Sequence, residues 1–397
     1  MSGPTPRRLK RFFCQRYRLQ TYLRSPGDGR PRPQIPAEDL LWSQLIGQVL
    51  REGSFHGVEA LVRSPARRAL AVSRAFGDDA LAYFTERLDP APSRRALSSV
   101  LQRAKRNKAF DKSRFIGLAL DGTTAARCRE TRCRLCHPVL GPDERLLGYR
   151  HHFSLVSVVG TGLSLPFDLE PYEAGEGEST ASQRLLERAV RGLGPRFADY
   201  LVADGLYATA PMLHRAGDLG LKVVVRLKGN LPELFAAAQA RFAETPPTMV
   251  FQEGNDRIEI WDAEDFDPWE ALRWTTVRVL RYRQWKPDGT IVEAYWLTDF
   301  PSTQVGSRAL YHMAKSRWEI ENQGFNEAKT HHGIEHMTHH HANSLLIAWL
   351  LALFTLTLER LYRLRYLHRG THPPRTAIEL VRALRLTLCP LRAPDTS

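Results

Sequence analysis

The chain is poor in cysteine, with five among 397 residues, and it has no long hydrophobic run. A small, odd number of cysteines argues against a disulfide framework and favours a reducing compartment, so we expect a cytoplasmic protein. Residues 1–4 lack the apolar segment that opens a signal peptide. The longest uncharged apolar run, residues 345–358, is too short to span a bilayer, so it is expected to form a buried helix.

Acidic residues are outnumbered by basic ones, 43 against 56, which gives a formal net charge of +13 at pH 7. This excess favours a polyanionic partner, most simply nucleic acid. A membrane surface is not expected, because we find neither a basic amphipathic anchor nor a lipidation motif. The sequence also lacks the Gly-x-x-x-x-Gly-Lys-Ser/Thr loop of ATP sites, and residues 173–178 are too acidic to hold phosphate.

Strand-like alternation is absent from residues 1–114, which show amphipathic helical patterns and clusters of basic residues. We interpret this segment as a helical DNA-binding domain, with a solvated helix face as the alternative for its charges. Strand patterns dominate residues 115–242, a β-rich stretch covers 243–300, residues 301–343 return to the first sheet, and 344–397 form a helical C-terminal segment. The expected fold class is therefore α/β: a mixed sheet interrupted by a β-rich insertion and flanked by helices.

Two apolar segments each end in an aspartate followed by a glycine. Residues 115–120 lead into Asp121, and residues 200–203 lead into Asp204. Uncharged apolar runs of this length are typical of buried strands. Each aspartate is therefore predicted to lie at the rim of a sheet.

A third acid lies in residues 317–329, which are predicted to be helical because they contain no proline and few β-branched residues. At 3.6 residues per turn, Arg317, Glu321 and Lys329 fall near one stripe of this helix. A carboxylate between a guanidinium and an ammonium suits a metal site beside phosphates, although spacing alone also fits a solvated surface pair. The competing acid, Glu319, is predicted to lie on a different face.

The cysteines are concentrated in one short stretch, three of the five within nine residues. The pattern is Cys128-x4-Cys133-x2-Cys136-His137. Clustered thiols followed by histidine favour a structural zinc site, and metal-free thiols in a basic loop are the alternative. Because His137 adjoins Cys136, ligation by both is strained, and His151 or His152 is an alternative fourth ligand. A histidine run at residues 331–341 lacks partners at fixed spacing, so a phosphate-contacting or structural role is expected there.

The order and spacing of the three acids resemble those of the DDE transposases of bacterial insertion sequences. The resemblance covers roughly residues 115–343 and rests on four motifs. They are LALDGT at 118–123, ADGLY at 203–207, VRLKGN at 225–230 and RWEIEN at 317–322.

The last motif departs from the family pattern in two places. In the family, a tyrosine often lies three residues before the arginine, and a lysine lies seven after the glutamate. Here Ala314 stands three residues before Arg317, with Tyr311 further back, and Lys329 lies eight after Glu321. The resemblance implies that Arg317, Lys329 and Tyr311 bind DNA phosphates.

The resemblance implies an RNase H-like catalytic domain, formed by residues 115–242 and 301–343 around the insertion. It also implies that Asp121, Asp204 and Glu321 are the catalytic residues. In-line attack of water, and then of a 3′-hydroxyl, on a phosphodiester needs an activated nucleophile and a stabilised leaving oxygen. Two Mg²⁺ or Mn²⁺ ions held by the three carboxylates would supply both.

The implied function is a transposase that cleaves and joins DNA at transposon ends. Its partners would be the transposon ends and the target DNA, bound by a homodimer. Two alternatives stay open: an RNase H-like nuclease or resolvase that cuts without joining, and a DNA-binding derivative without catalytic activity. The presence of all three acids argues against the last alternative.

Overall fold

A ten-stranded mixed sheet forms the centre of the molecule in this computed structural model, which describes residues 4–131, 133–336, 338–366 and 376–388. The order of the strands is β2-β3-β1-β5-β6-β10-β9-β8-β7, and β4 also pairs with β3. The strands are β1 (Gly117–Cys128), β2 (His137–Leu140), β3 (Leu146–Val159), β4 (Leu165–Pro171), β5 (Tyr200–Ala203), β6 (Lys222–Leu227), β7 (Met249–Glu253), β8 (Asp256–Phe266), β9 (Val277–Trp285) and β10 (Ile291–Thr298).

Helices cover both ends of the chain and connect the later strands. They are α1 (Pro6–Tyr17), α2 (Leu19–Arg24), α3 (Ala37–Val49), α4 (Phe55–Arg63), α5 (Arg67–Leu70), α6 (Asp78–Arg87), α7 (Pro90–Arg106), α8 (Glu178–Leu193), α9 (Ala210–Asp218), α10 (Pro232–Glu244), α11 (Ser307–Lys315), α12 (Arg317–Glu319), α13 (Asn326–His332), α14 (Ala342–Tyr366) and α15 (Ala377–Leu386). A π-helix, Ile320–Phe325, joins α12 to α13.

Five strands of the catalytic domain, β1, β3, β4, β5 and β6, have the RNase H-like arrangement that the resemblance implies. Strands β1, β3 and β4 pair antiparallel, and β5 and β6 then add in parallel on the other side of β1. Strands β1, β5 and β6 are apolar and buried because helices cover the sheet, which explains their nearly continuous hydrophobic runs. The predicted mixed α/β fold class is confirmed.

The β-rich insertion extends this sheet. Strand β10 pairs antiparallel with β6, and β9, β8 and β7 follow outward. Within the predicted β-rich stretch of residues 243–300, the chain reverses at Gly254, whose φ of 62° lies in the left-handed region that favours glycine. Strands β7 and β8 therefore form a hairpin.

The N-terminal helices share a hydrophobic core with the sheet and with α14. Helix α14 packs against α3, α6, α7 and β4, and one cluster of buried side chains extends from Leu9 to Leu384. The expectation of a buried apolar helix over residues 345–358 is confirmed. By length and composition alone, Ala342–Leu364 could cross a membrane, but 89% of its most apolar window is buried within the protein.

A buried ionic network crosses the same interface. The guanidinium of Arg51, on the loop after α3, donates to both oxygens of Glu359 on α14, at 2.9 and 3.0 Å. One residue on, Arg360 is buried, lies 2.9 Å from Glu327 and donates to the carbonyls of Ser164 and Gln323. Arg360 therefore ties α14 to the sheet and to the π-helix.

Candidate active site

Asp121 and Asp204 lie side by side on neighbouring parallel strands. In the register of β1 and β5, Leu120 pairs with Ala203, and the next residue on each strand is an aspartate. Parallel strands are about 4.8 Å apart, so this register brings both carboxylates to one rim of the sheet. Both aspartates therefore lie where the sequence predicts them.

Glu321 reaches the same rim from the π-helix, which contacts β1 and β3. Arg317 joins the acids. Its Nη2 donates to Glu321 Oε1 at 2.8 Å, and its Nη1 lies 3.4 Å from Asp121 Oδ2. The Arg317 side chain is only 11% exposed. The structure thus gathers the three predicted acids into one cleft, where their catalytic role stays a prediction.

The pKa of Asp121 lies near neutral pH. Burial raises its pKa to about 7, although the Arg317 guanidinium and the Gly122 N–H oppose the rise. The negative charges of Glu321 and Glu178 raise the pKa further. Desolvation is therefore the largest cause of the raised pKa, and the neighbouring acids add to it.

Asp204 differs from Asp121 because it has a lysine partner. Burial alone would raise its pKa, but the hydrogen bond from Lys228, the Gly205 N–H and the charges of Lys228 and Arg317 together lower it. Lys228 Nζ lies 2.9 Å from the carboxylate. Lys228 is part of the VRLKGN motif, yet the sequence analysis gave it no role.

Glu178 is a fourth acid of the cleft that the sequence analysis missed. It opens α8, accepts a hydrogen bond of 2.6 Å from the Tyr207 hydroxyl and raises the pKa of Asp121. It also lies against Gly122, where a Cβ would overlap the Glu178 carboxylate and the Tyr172 hydroxyl. The sequence does contain a signal for Glu178, which is an acid at the start of a helix that packs back onto the first strand. Glu178 ends the acidic segment of residues 173–178, which was judged above only as a possible phosphate-binding loop.

Lys329 lies two turns beyond Glu321, with its ammonium 3.4 Å from Glu335. The π-helix matters here, because its i→i+5 bonds accommodate one residue more per turn than an α-helix does. A residue eight positions after Glu321 therefore takes the angular position of one seven positions on in a regular helix, which is close to two full turns. The extra residue between Glu321 and Lys329 is absorbed without taking the lysine off the Glu321 face.

The prediction that Tyr311 contacts phosphate is not supported by its position. Tyr311 is fully buried in the core beside β7 and β9, where its hydroxyl donates to Glu253 at 2.8 Å and its ring packs edge-on against Tyr282. Because α11 turns this face into the core, the side chain has no exposed atom to offer DNA. In this structure Tyr311 packs α11 against the β insertion.

Glu319 lies away from the cleft, as the helical spacing predicts. Its Oε2 accepts from the Gly160 N–H at 3.1 Å in the turn between β3 and β4, and burial raises its pKa. Among the histidines, His332 is buried beside Arg51 and Glu359, and His339 lies 2.9 Å from Glu86. These contacts fit the structural role expected for the histidine run.

The cysteine cluster forms, but with a different histidine from the one in the sequence pattern. Cys128, Cys133 and Cys136 gather around His151 of β3. His137 points elsewhere, with its Nε2 3.1 Å from the Tyr172 carbonyl oxygen. His137 opens β2, where its ring contacts Tyr172 and His152 instead of the cluster.

The donor set at the rim fits a divalent cation. Carboxylate oxygens are the ligands that Mg²⁺ and Mn²⁺ prefer. Here Asp121 is close enough to Glu321 and Glu178 for their charges to raise its pKa, and the charge of Arg317 acts on both Asp121 and Asp204. Arg317 pairs with Asp121 and Glu321, and Lys228 pairs with Asp204. The charges of Glu321 and Glu178 add to the burial that raises the pKa of Asp121, and the charge of Arg317 opposes it. The arrangement is thus an acidic cleft, suited to a cation, beside a guanidinium and an ammonium, two kinds of group that are able to bind phosphate.

A five-stranded RNase H-like core with acids on two neighbouring strands and on a late helix defines the class of metal-dependent nucleases and transposases. The sequence profile of one family, described as the transposase DDE domain, matches residues 113–358, more than half of the chain. The chain belongs to this family, and it is a transposase by that membership.

The chain was also compared with curated protein sequences and with solved structures. No curated protein sequence matches the chain significantly. Among solved structures, the chain is similar to a piggyBac transposase determined by cryo-EM in a synaptic complex with hairpin DNA. The two chains are 10% identical, with a TM-score of 0.49, and the alignment covers 98% of this chain and 82% of that one.

Proposed function

We propose that the cleft around Asp121, Asp204 and Glu321 cleaves DNA at the ends of a mobile element and joins those ends to target DNA. The observation that carries the proposal is the gathering of the three acids around Arg317, which lies 3.4 Å from Asp121 and 2.8 Å from Glu321 and whose charge helps to lower the pKa of Asp204. Two divalent ions, Mg²⁺ or Mn²⁺, would activate the attacking oxygen and stabilise the leaving oxygen when bound.

The protein's own residues have separate tasks in this proposal. Asp121, Asp204 and Glu321 supply the oxygen ligands. Arg317 orients two of them and presents its remaining N–H groups to a phosphate, since a guanidinium carries five donors in a fixed fork. Lys228 keeps Asp204 ionised and, at 52% exposure, is free to bind the neighbouring phosphate as a point charge.

Binding of the rest of the DNA would rest on basic side chains outside the cleft. Helix α1 exposes Arg7, Arg8 and Arg11 on the face turned away from its buried Leu9 and Phe13, and it exposes Arg16 in its last turn. Phosphate neutralisation by such residues makes affinity fall steeply as salt rises. By contrast, Lys105 of α7 donates to the carbonyls of Arg196 and Phe197 and serves the fold instead.

The test uses the full chain and a duplex that contains the DNA flanking its own coding sequence. With Mg²⁺ present, we expect nicks at the element ends and, with target DNA added, joined products through the 3′-hydroxyl. Cleavage without joining would favour the nuclease alternative. Binding without cleavage in either metal would favour the inactive DNA-binding derivative.

A further inference from the structure

Three cysteine sulfurs and one imidazole nitrogen meet where the β1–β3 hairpin extends beyond the sheet. Cys128 ends β1, Cys133 and Cys136 lie in the loop before β2, and His151 lies on β3. The Sγ of Cys136 is 3.7 Å from that of Cys128 and 3.8 Å from that of Cys133. The Nε2 of His151 is 3.2 Å from the sulfur of Cys133 and 3.6 Å from that of Cys136.

These separations match the edges of a zinc tetrahedron. With Zn–S of about 2.3 Å and Zn–N of about 2.0 Å, a tetrahedral site places sulfurs about 3.8 Å apart and a sulfur about 3.5 Å from the nitrogen. Cys128, Cys136 and His151 also lie within 4.8 Å of one another. Four of the six edges thus have the lengths that a tetrahedral metal site requires, and Cys133 joins the other three ligand atoms through its contacts with Cys136 and His151.

The histidine is held in the orientation of a ligand. His151 is fully buried, and its Nδ1 lies 2.8 Å from the carbonyl oxygen of Ala126, to which it donates. This hydrogen bond places the proton on Nδ1 and leaves the Nε2 lone pair directed at the sulfurs. Metal-binding histidines in proteins are commonly fixed by such a bond to a backbone carbonyl.

We propose that Cys128, Cys133, Cys136 and His151 bind one structural Zn²⁺. Three thiolates and one imidazole fill all four positions, so no position is left for water or substrate, as in structural rather than catalytic zinc sites. Thiolate ligands favour zinc over the magnesium of the acidic cleft, so the two sites select different metals. Binding releases the three thiol protons to solvent.

The zinc ion would fix the loop that carries Cys133 and Cys136 to the two strands of the hairpin, through Cys128 on β1 and His151 on β3. Asp121 and Cys128 lie on the same strand seven residues apart, about 23 Å along β1. The ion is therefore too far from the cleft to take part in cleavage. Its task is to keep the hairpin arm, with Arg127 and Arg150 paired across it, in one conformation beside the DNA-binding cleft.

The first experiment measures metal in the intact protein. Full-length chain purified without added zinc is analysed by mass spectrometry of the elements, alongside Cys136→Ser and His151→Asn. We expect about one zinc per wild-type chain and loss of most of it in both variants. The matched controls are Cys14→Ser and His137→Asn, which remove a cysteine outside the cluster and the adjacent histidine, and both should keep zinc.

The second experiment does not depend on a variant folding. Zinc is removed from the wild-type chain and replaced with Co²⁺, whose visible spectrum distinguishes tetrahedral sulfur ligation from octahedral oxygen ligation. We expect intense tetrahedral bands and sulfur-to-cobalt charge transfer that Zn²⁺ reverses. Weak octahedral bands, zinc-free protein with its thiols reactive, or zinc loss in His137→Asn but not in His151→Asn would each overturn the proposal, whatever the cleavage assay shows.

Discussion

At the level of single residues, protonation of Asp121 makes the stability of the folded chain depend on pH. Its pKa is about 7 in the folded chain because it is buried among acids, against an ordinary value of 3.8. Between these values the folded state binds a proton at Asp121 that the unfolded state has lost. The contribution of this proton to stability is fully present below about pH 4 and is lost as the pH rises to 7.

The prediction concerns metal-free protein. The difference in unfolding free energy between wild type and Asp121→Asn should fall by up to about 1.4 kcal/mol for each pH unit between about 4 and 7, and then level off. Urea unfolding at several pH values, in the presence of a chelator, measures it. A difference that does not change with pH would contradict the assigned pKa.

A substitution at Glu178 tests independently whether neighbouring acids raise the pKa of Asp121. Glu178→Gln removes one of the negative charges that raise the Asp121 pKa, so the pH window of that stability difference should move downward. Glu173→Gln is the matched control, because Glu173 pairs with Arg134 on the surface, at 3.9 Å. Equal shifts in both variants would show that Glu178 has no special relation to Asp121.

At the scale of the element, the π-helix sets the position of Glu321. Gly324 lies within it, facing β3 and β4, and a Cβ there would be 3.3 Å from Ile320 Cγ1 and 3.8 Å from Leu155 and Ser164. The absence of a side chain lets this turn lie close to the sheet. π-Helical turns occur frequently at functional sites, and here the turn carries the third acid.

A larger side chain at Gly324 should lift this turn away from the sheet. We expect Gly324→Leu to cost about 1–3 kcal/mol of stability through overpacking and to reduce cleavage by displacing Glu321. Gly217→Leu is the matched control, since Gly217 is exposed in α9 with open space around its Cβ position, and should be neutral or slightly stabilising. Thermal unfolding and cleavage rates measure both, and equal behaviour of the two variants would refute the close-packing argument.

The sequence predicted the elements whose signals are local. Apolar runs ending in Asp121 and Asp204 identified two core strands. The sequence also predicted that Arg317 and Glu321 share one helix face, and the two side chains do pair in the structure, because one turn of helix separates them. The phosphate role of Tyr311 was implied by the family resemblance alone, and a motif does not tell which face of its helix enters the core. Glu178 and His151 were missed or left open because their partners lie on other strands, and only the sheet register brings them together.

At the scale of the whole molecule, the N-terminal helices cannot be separated from the rest. Leu9, Phe13 and Leu45 belong to the same core cluster as Phe354 and Leu384. Removing residues 1–114 would expose the apolar surface of α14. A loss of DNA recognition in that truncated chain could then not be distinguished from a loss of folding. Point substitutions in the full chain are therefore the informative experiments.

The Arg51–Glu359 pair tests this shared core directly. Arg51→Met leaves a carboxylate that is only 1% exposed without its bidentate partner, which should cost about 3 kcal/mol or more. Arg63→Met is the matched control, because it breaks a pair with Glu59 in which the arginine is 62% exposed, and it should cost at most about 1 kcal/mol. Urea unfolding measures both, and similar costs would show that the interface contributes little.

The most direct test of the catalytic cleft compares two glutamates that are two residues apart. Glu321→Gln and Glu319→Gln make the same chemical change on the same helical segment, but only Glu321 faces Asp121 and Arg317. Mg²⁺-dependent cleavage of the flanking duplex is measured for both variants at equal DNA occupancy. We expect cleavage by Glu321→Gln to fall to the protein-free background, while Glu319→Gln retains most of the wild-type rate. Cleavage by Glu321→Gln at the wild-type rate would contradict the assignment of Glu321 to the catalytic cleft.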